Sequence, residues 1–316
     1  MEKLKIIMPT RLKGARLDSA LSEMLPDYSR SKITNWIKSG DALINKKTFK
    51  PNDKVNGDET VHLMLSQTEN TLWFPEEIDL NIVFEDEDII VINKPFGLVT
   101  HPGAGNWSGT LANALLHYDK NLSKLDRAGI VHRLDKNTSG LMVVAKNIRS
   151  QIFLVEQMQN HLVEREYSAI VYGHMISGGT VNEPIGRDSR DRIKQAISNG
   201  GKEAITHYRV IDRYKSHTHV KAILETGRTH QIRVHLSHIG HPLVGDPVYG
   251  GRVRYPKKAA QDLKNALIQL ERQALHSKKL TLTHPSSGET MTWKIDLPDD
   301  MKSLLNTLME FDSDEF

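Results

Sequence analysis

GIVHRLDKNTSGLMVVAKN, residues 129–147, is the stretch from which the rest of the chain is best read. Its second half, Leu141–Ala145, is an apolar, partly β-branched run, the pattern of a strand. Its first half is polar and turn-forming, and places Asp135 beside His132, Arg133 and Lys136. A loop that feeds a strand is where a rigid scaffold presents reactive groups. A carboxylate there can act as nucleophile or as base, or can simply satisfy backbone amides in a turn. Taken alone, these residues leave the choice open.

On the N-terminal side, strands are expected at Ile82–Phe84 and, after the acidic turn Glu85–Asp88, at Ile89–Ile92, which Asn93-Lys94-Pro95 ends. Further strands are expected at Tyr167–Tyr172, Thr206–Arg213, Val220–Glu225 and Leu280–Thr283, and helices at Ile148–Asn160 and near Thr110–His117 and Ala259–Gln269. The order is that of an α+β protein, strand-rich in this region.

Two of the flanking segments carry reactive side chains. In LETGRTHQIRVHLSHIGHPLVGDPVYGG, residues 224–251, Arg228 and Arg233 lie around an expected strand-to-helix turn. Their planar guanidinium forks suit carboxylate or phosphate. His230, His235, His238 and His241 raise the thought of a metal, but no H-E-x-x-H pattern or acidic cluster accompanies them. RNA-facing or core histidines are the other reading. In REYSAIVYG, residues 165–173, Tyr167 opens a strand. Its ring can stack on a nucleobase or pack as an ordinary strand tyrosine.

The N-terminal region has a different pattern. Leu17, Ala20, Leu21, Met24 and Leu25 form a helical stripe. Ser29 is the expected N-cap of a second helix that buries Ile33, Trp36 and Ile37, stops at Gly40, and carries Arg30, Lys32 and Lys38 on its other face. Short β segments follow around Ala42–Asn45 and Thr60–Leu65. This order resembles the RNA-binding module named after a small-subunit ribosomal protein. The expected division is a small α/β module at 1–70, a linker at 71–81, a second domain at 82–300 and an acidic tail at 301–316.

Composition fits a folded chain of about two domains: 316 residues, 38% apolar. Cysteine is absent, which removes disulfides and thiolate chemistry. No apolar run approaches the roughly 18 residues of a membrane span, and MEKLKIIMPT does not read as a secretory signal. A cytoplasmic protein is expected. The net charge of +3 is unevenly spread: +3 over 1–70, −6 over 71–100, +11 over 101–298 and −5 over 299–316. A basic middle suits a polyanionic partner.

Taken together, NKPFGLVTHPGAGN, HRLDKNTSGLMVVAKN, REYSAIVYG and GRTHQIRVHLSHIGHPLVGDPVYGG, in that order, resemble the RluA family of pseudouridine synthases. The resemblance spans about residues 16–300 and, with the N-terminal module, is similar to members that act on large-subunit ribosomal RNA. It implies a mixed β-sheet catalytic domain with a cleft across it, uridine-to-pseudouridine isomerisation, and neither metal nor organic cofactor. By motif it implies Asp135 as the catalytic carboxylate, Tyr167 against the target base, Arg233 paired with Asp135, and Arg133 near the flipped-out nucleotide. His132, Arg228 and His230 are expected to contact RNA, as are Arg30, Lys32 and Lys38. The expected partner is large-subunit ribosomal RNA or a pre-ribosomal particle, with no membrane, and the chain is expected to act as a monomer. Two other classes compete: a metal-dependent RNA hydrolase built on the histidines of 230–241, and a non-catalytic ribosome-assembly factor.

Overall fold

The computed structural model describes residues 2–25, 30–65, 73–103, 105–191 and 194–313. The chain divides into two units, Met1–Leu72 and Trp73–Phe316.

In the first unit, β1 (Glu2–Ile7), β2 (Ala42–Ile44) and β3 (Thr60–Leu65) form an antiparallel sheet in the order β1-β3-β2. Helices α1 (Leu17–Met24) and α2 (Arg30–Ser39) complete it. The apolar stripes meet as expected: Leu17, Leu21, Ile33, Trp36 and Ile37 are buried with Val61 and Leu63. β1 is an addition to the sequence reading, although Lys3-Leu4-Lys5-Ile6 alternates with the period of a strand. Asp18, in the first turn of α1, is buried and accepts hydrogen bonds from Arg16 and from Arg30 Nη2 at 3.1 Å. Arg30 also donates to Ser19, so part of its fork is occupied within the unit. Lys38 is exposed. Ser29 and the Lys32 side chain lie outside the described residues.

The second unit is built on one mixed sheet. Its strands are β4 (Ile82–Glu85), β5 (Ile89–Lys94), β6 (Ser139–Ala145), β7 (Glu164–Tyr172), β8 (Gly179–Asn182), β11 (Ile205–Arg213), β12 (His217–Leu224), β13 (Leu275–Thr283) and β14 (Thr290–Lys294). Between β8 and β11, β9 (Ile185–Arg187) and β10 (Gln195–Ile197) form a separate ribbon. The order is β4-β5-β6-β13-β7-β12-β11-β8, with β14 also paired to β13. The one parallel pairing among these joins β6 to β13, His276 opposite Ser139 and Ser277 opposite Gly140. Gly140 has φ +115°, and a Cβ there would lie 2.3 Å from the Ser277 carbonyl oxygen, so no other residue fits this crossing.

β5 and β6 are buried on both faces, which explains their unbroken apolar runs. Ile90, Ile92, Met142 and Val144 face one core with α3 (Leu111–Tyr118), while Ile89, Val91, Leu141 and Val143 face another with α4 (Ile148–Gln159). The helix α5 (Gln231–His238) contributes Ile232 and Leu236 to the first core. A third core joins Ile170, Tyr172 and Val244 to α6 (Gln261–Gln269) and α7 (Asp299–Ser313).

Two segments differ from the sequence reading. From Trp73 onward the expected linker belongs to the second unit: Asn113 Nδ2 donates to the Phe74 carbonyl at 2.7 Å, and the Glu76 carboxylate accepts from Gly109 N–H. The acidic stretch after residue 300 is helical through Ser313, burying Met301, Leu304 and Leu308, and Arg272 grips Asp300 with two bonds of 2.6 and 2.8 Å. Its i, i+3, i+7 stripe was masked in the sequence by the surrounding carboxylates. Among the described residues, no helix is long and apolar enough to cross a membrane.

Candidate active site

Asp135 is held by the backbone on either side of it. Thr100 Oγ1 donates to the Leu134 carbonyl at 2.7 Å, and Gly97 N–H donates to the Lys136 carbonyl at 2.8 Å. Lys94 Nζ, at the end of β5, donates to the carbonyls of Pro95, Leu98 and Lys136 at 2.8, 2.8 and 3.2 Å. Lys94 is 1% exposed, and burial lowers its pKa to about 7 although Asp135 pulls the other way. Thus NKPFGLVTH forms a shelf that fixes the loop carrying the carboxylate before β6 begins.

The other half of the site comes from the turn between β12 and α5. The Gln231 side chain accepts from Thr226 Oγ1 and Arg228 N–H and donates to the Ile205 carbonyl, locking the turn. Arg233, in the first turn of α5, donates from Nη1 to Asp135 Oδ2 at 3.0 Å. Its Nε and Nη2 meet both oxygens of Asp246 at 2.8 and 2.9 Å. Asp246 also accepts from the N–H groups of Val248 and Tyr249. Burial alone would lower the Arg233 pKa, but Asp246 and then Asp135 raise it. Burial works against the Asp246 carboxylate, yet Arg233 and those N–H groups hold it below its ordinary value. The Arg233 guanidinium lies 5.0 Å from the centroid of the Tyr249 ring.

Asp135, Tyr167 and Arg233 line one cleft of about 530 Å³, together with His132, Arg133, Arg228 and His230. Tyr167 is buried, and burial raises its pKa. Arg133 is exposed at the rim. His230 occupies a left-handed backbone conformation, shares a 2.9 Å hydrogen bond with Tyr249 Oη, and has Nε2 3.9 Å from Asp135 Oδ2. Arg228 donates from Nε to the Glu203 carbonyl. His132 is committed to the fold: its Nε2 accepts the Val143 N–H at 3.0 Å. The four histidines of 230–241 diverge. His235 is spent on Thr206 and the Glu183 carbonyl and His241 on the Tyr172 carbonyl, and among the described residues no three potential ligands converge. Sequence pattern alone does not mark Lys94 or Asp246, although they lie within NKPFGLVTHPGAGN and GRTHQIRVHLSHIGHPLVGDPVYGG.

Burial, reinforced by nearby arginines, lowers the pKa of His132 to about 3 and of His101 and His276 to about 4; burial alone takes His217 to about 4. An unfolded histidine titrates near 6.5, so between about pH 6.5 and 4 the unfolded chain binds protons that the folded chain refuses. Stability therefore falls as pH falls through that window. The urea midpoint is expected to drop from pH 7 to pH 5, where carboxylates of ordinary pKa of about 4 contribute little. A midpoint that is flat or rises toward pH 5 contradicts this.

The mixed sheet and the N-terminal unit can be set beside known proteins. Residues 88–238 match the RNA pseudouridylate synthase family, and residues 15–61 match the S4 domain. The chain belongs to the RNA pseudouridylate synthase family. It is 53% identical over 296 residues to ribosomal large subunit pseudouridine synthase D of Escherichia coli, covering 93% of this chain and 91% of that one. To the protein of the same name from Pseudomonas aeruginosa it is 49% identical, covering 96% and 95%. Among solved structures it is similar to human RNA pseudouridylate synthase domain containing 4, with a TM-score of 0.57 and 28% identity, covering 72% of this chain and 93% of that one.

Proposed function

We propose that this pseudouridine synthase isomerises uridines of large-subunit ribosomal RNA, free or within a pre-ribosomal particle, and that Asp135 is its catalytic carboxylate. The names of its relatives support the substrate. The observation that carries the catalytic assignment is the 3.0 Å bond from Arg233 Nη1 to Asp135 Oδ2 inside the cleft. The reaction breaks the N1–C1′ bond, turns the base and joins C5 to C1′; the C5 proton leaves and N1 gains one. Asp135 serves either as nucleophile or as the base that removes a proton. Arg233 orients it, and Tyr167 bears on the base, which must leave its stack to enter the cleft. No metal or organic cofactor is needed for this chemistry, and the protein acts as a monomer in the cytoplasm. The test is to map pseudouridines in large-subunit ribosomal RNA from cells with and without the protein. Sites that persist unchanged in its absence would remove the substrate reading.

The S4 domain carries the phosphate-positioning role in this proposal, with Lys38, Lys32 and the free part of Arg30 on one helix. Contacts of this kind position a protein without reading bases. Removing residues 1–72 is expected to weaken RNA binding and flatten its salt dependence by about 0.7 per lost phosphate contact on single-stranded RNA. The single-turnover rate at saturating RNA should change little. Binding measured at several salt concentrations checks this, and an unchanged affinity and slope in a folded truncation would contradict it.

A further inference from the structure

Among the described residues, the buried cations of the second unit are matched either by a carboxylate or, for the three donors of Lys94, by three carbonyls, and Arg165 has neither. Arg233 is 4% exposed and has Asp246 and Asp135; Arg272 is 2% exposed and has Asp300; Lys94 has three carbonyls. Arg165, on β7, is 6% exposed, yet among the described residues no carboxylate bonds to it. Its Nη2 donates to the Glu225 carbonyl at 3.2 Å, and its buried Nε has no partner. A guanidinium has five donors, and a buried charge without an opposite one costs several kcal/mol. That imbalance is the signature of a site completed by an anion from outside the chain.

The surroundings say where the anion enters. Arg165 lines the same cleft as Asp135, Tyr167 and Arg233. It lies two residues before Tyr167 on β7, hence on the same face of the sheet, one side chain along from the tyrosine. Gly227 makes room for it, since a Cβ there would come 2.7 Å from Arg165 Nη1. RNA carries its negative charge on phosphodiesters, and a planar guanidinium fork binds phosphate through paired hydrogen bonds. We propose that Arg165 binds a phosphodiester flanking the uridine that is isomerised, anchoring the flipped nucleotide beside Asp135. This rests on the reading of the cleft given above.

The test uses an RNA that contains a mapped target uridine, with a single uncharged methylphosphonate placed at each neighbouring linkage in turn. With the wild-type protein, one linkage next to the uridine should cost roughly 30-fold in kcat/KM, the loss of a buried charge-paired contact. In Arg165→Gln the penalty at that linkage should shrink below about threefold, because the partner is already gone. If that variant does not fold by circular dichroism, Arg165→Lys replaces it, and a reduced penalty at the same linkage is the expected result. A converted RNA with no sensitive flanking linkage, or an equal penalty in variant and wild type, overturns this inference alone. An unmodified RNA that the wild type leaves unconverted overturns the substrate reading and this inference with it.

Discussion

Asp135→Asn is expected to slow pseudouridine formation by about a thousandfold or more while leaving the fold and RNA binding in place. The amide has nearly the shape of the carboxylate but is neither nucleophile nor base at neutral pH. Arg233 keeps both bonds to Asp246 after the change, so it stays anchored. The loop itself is held through the carbonyls of Leu134 and Lys136, not through the Asp135 side chain. Stability should therefore move by no more than about 1 kcal/mol. The measurements are single-turnover conversion and RNA affinity on the same preparation. A variant that retains a tenth of the normal rate would show that Asp135 is not the reacting carboxylate.

Asp246→Ala is expected to have the largest effect on stability, about 3–5 kcal/mol, because it leaves Arg233 buried without its principal counter-charge. Asp246 is 2% exposed, and Arg233 retains only the single bond to Asp135 once it is gone. The N–H groups of Val248 and Tyr249 would lose their acceptor as well. Activity should fall alongside stability if Arg233 has the orienting role proposed for it, since its Nη1 donates to Asp135 Oδ2. Urea unfolding followed by circular dichroism measures the first effect, and conversion assayed well below the unfolding midpoint measures the second. A loss under about 1 kcal/mol would mean that the arginine is held by something other than this pair.

These two residues also show what could and could not be read before folding. Asp135 and Arg233 lie within charged, turn-bounded motifs, and each residue type points to its own chemistry. Asp246 lies in the same stretch, residues 224–251, as Arg233 but looks like an ordinary turn aspartate in GDP. Only the closure of α5 onto the following loop brings it to 2.8 Å. Lys94 reads as the polar end of a strand, and its role depends on a carbonyl 42 residues away. Local pattern was sufficient where a segment buries one periodic face or runs wholly apolar, as in α1, α2, β5 and β6. It was insufficient for β1, whose partner strand is distant in sequence, and for α7, whose narrow stripe is surrounded by charge.

The place of β13 constrains how the protein can be made. It lies between β6 and β7, at the middle of the sheet, yet it is nearly the last strand to be synthesised. While a ribosome is still translating the region before Leu275, both neighbouring strands stand with their inner edges unpaired. Such edges are templates for association with other chains. The crossing at Gly140 and the joining of the two halves of the sheet must wait for a segment that arrives late, so folding is dominated by contacts of long sequence separation, which form slowly. Nascent chains are then exposed to aggregation until synthesis is nearly complete, and a shortage of chaperone capacity should act on this stage before it acts on the finished enzyme.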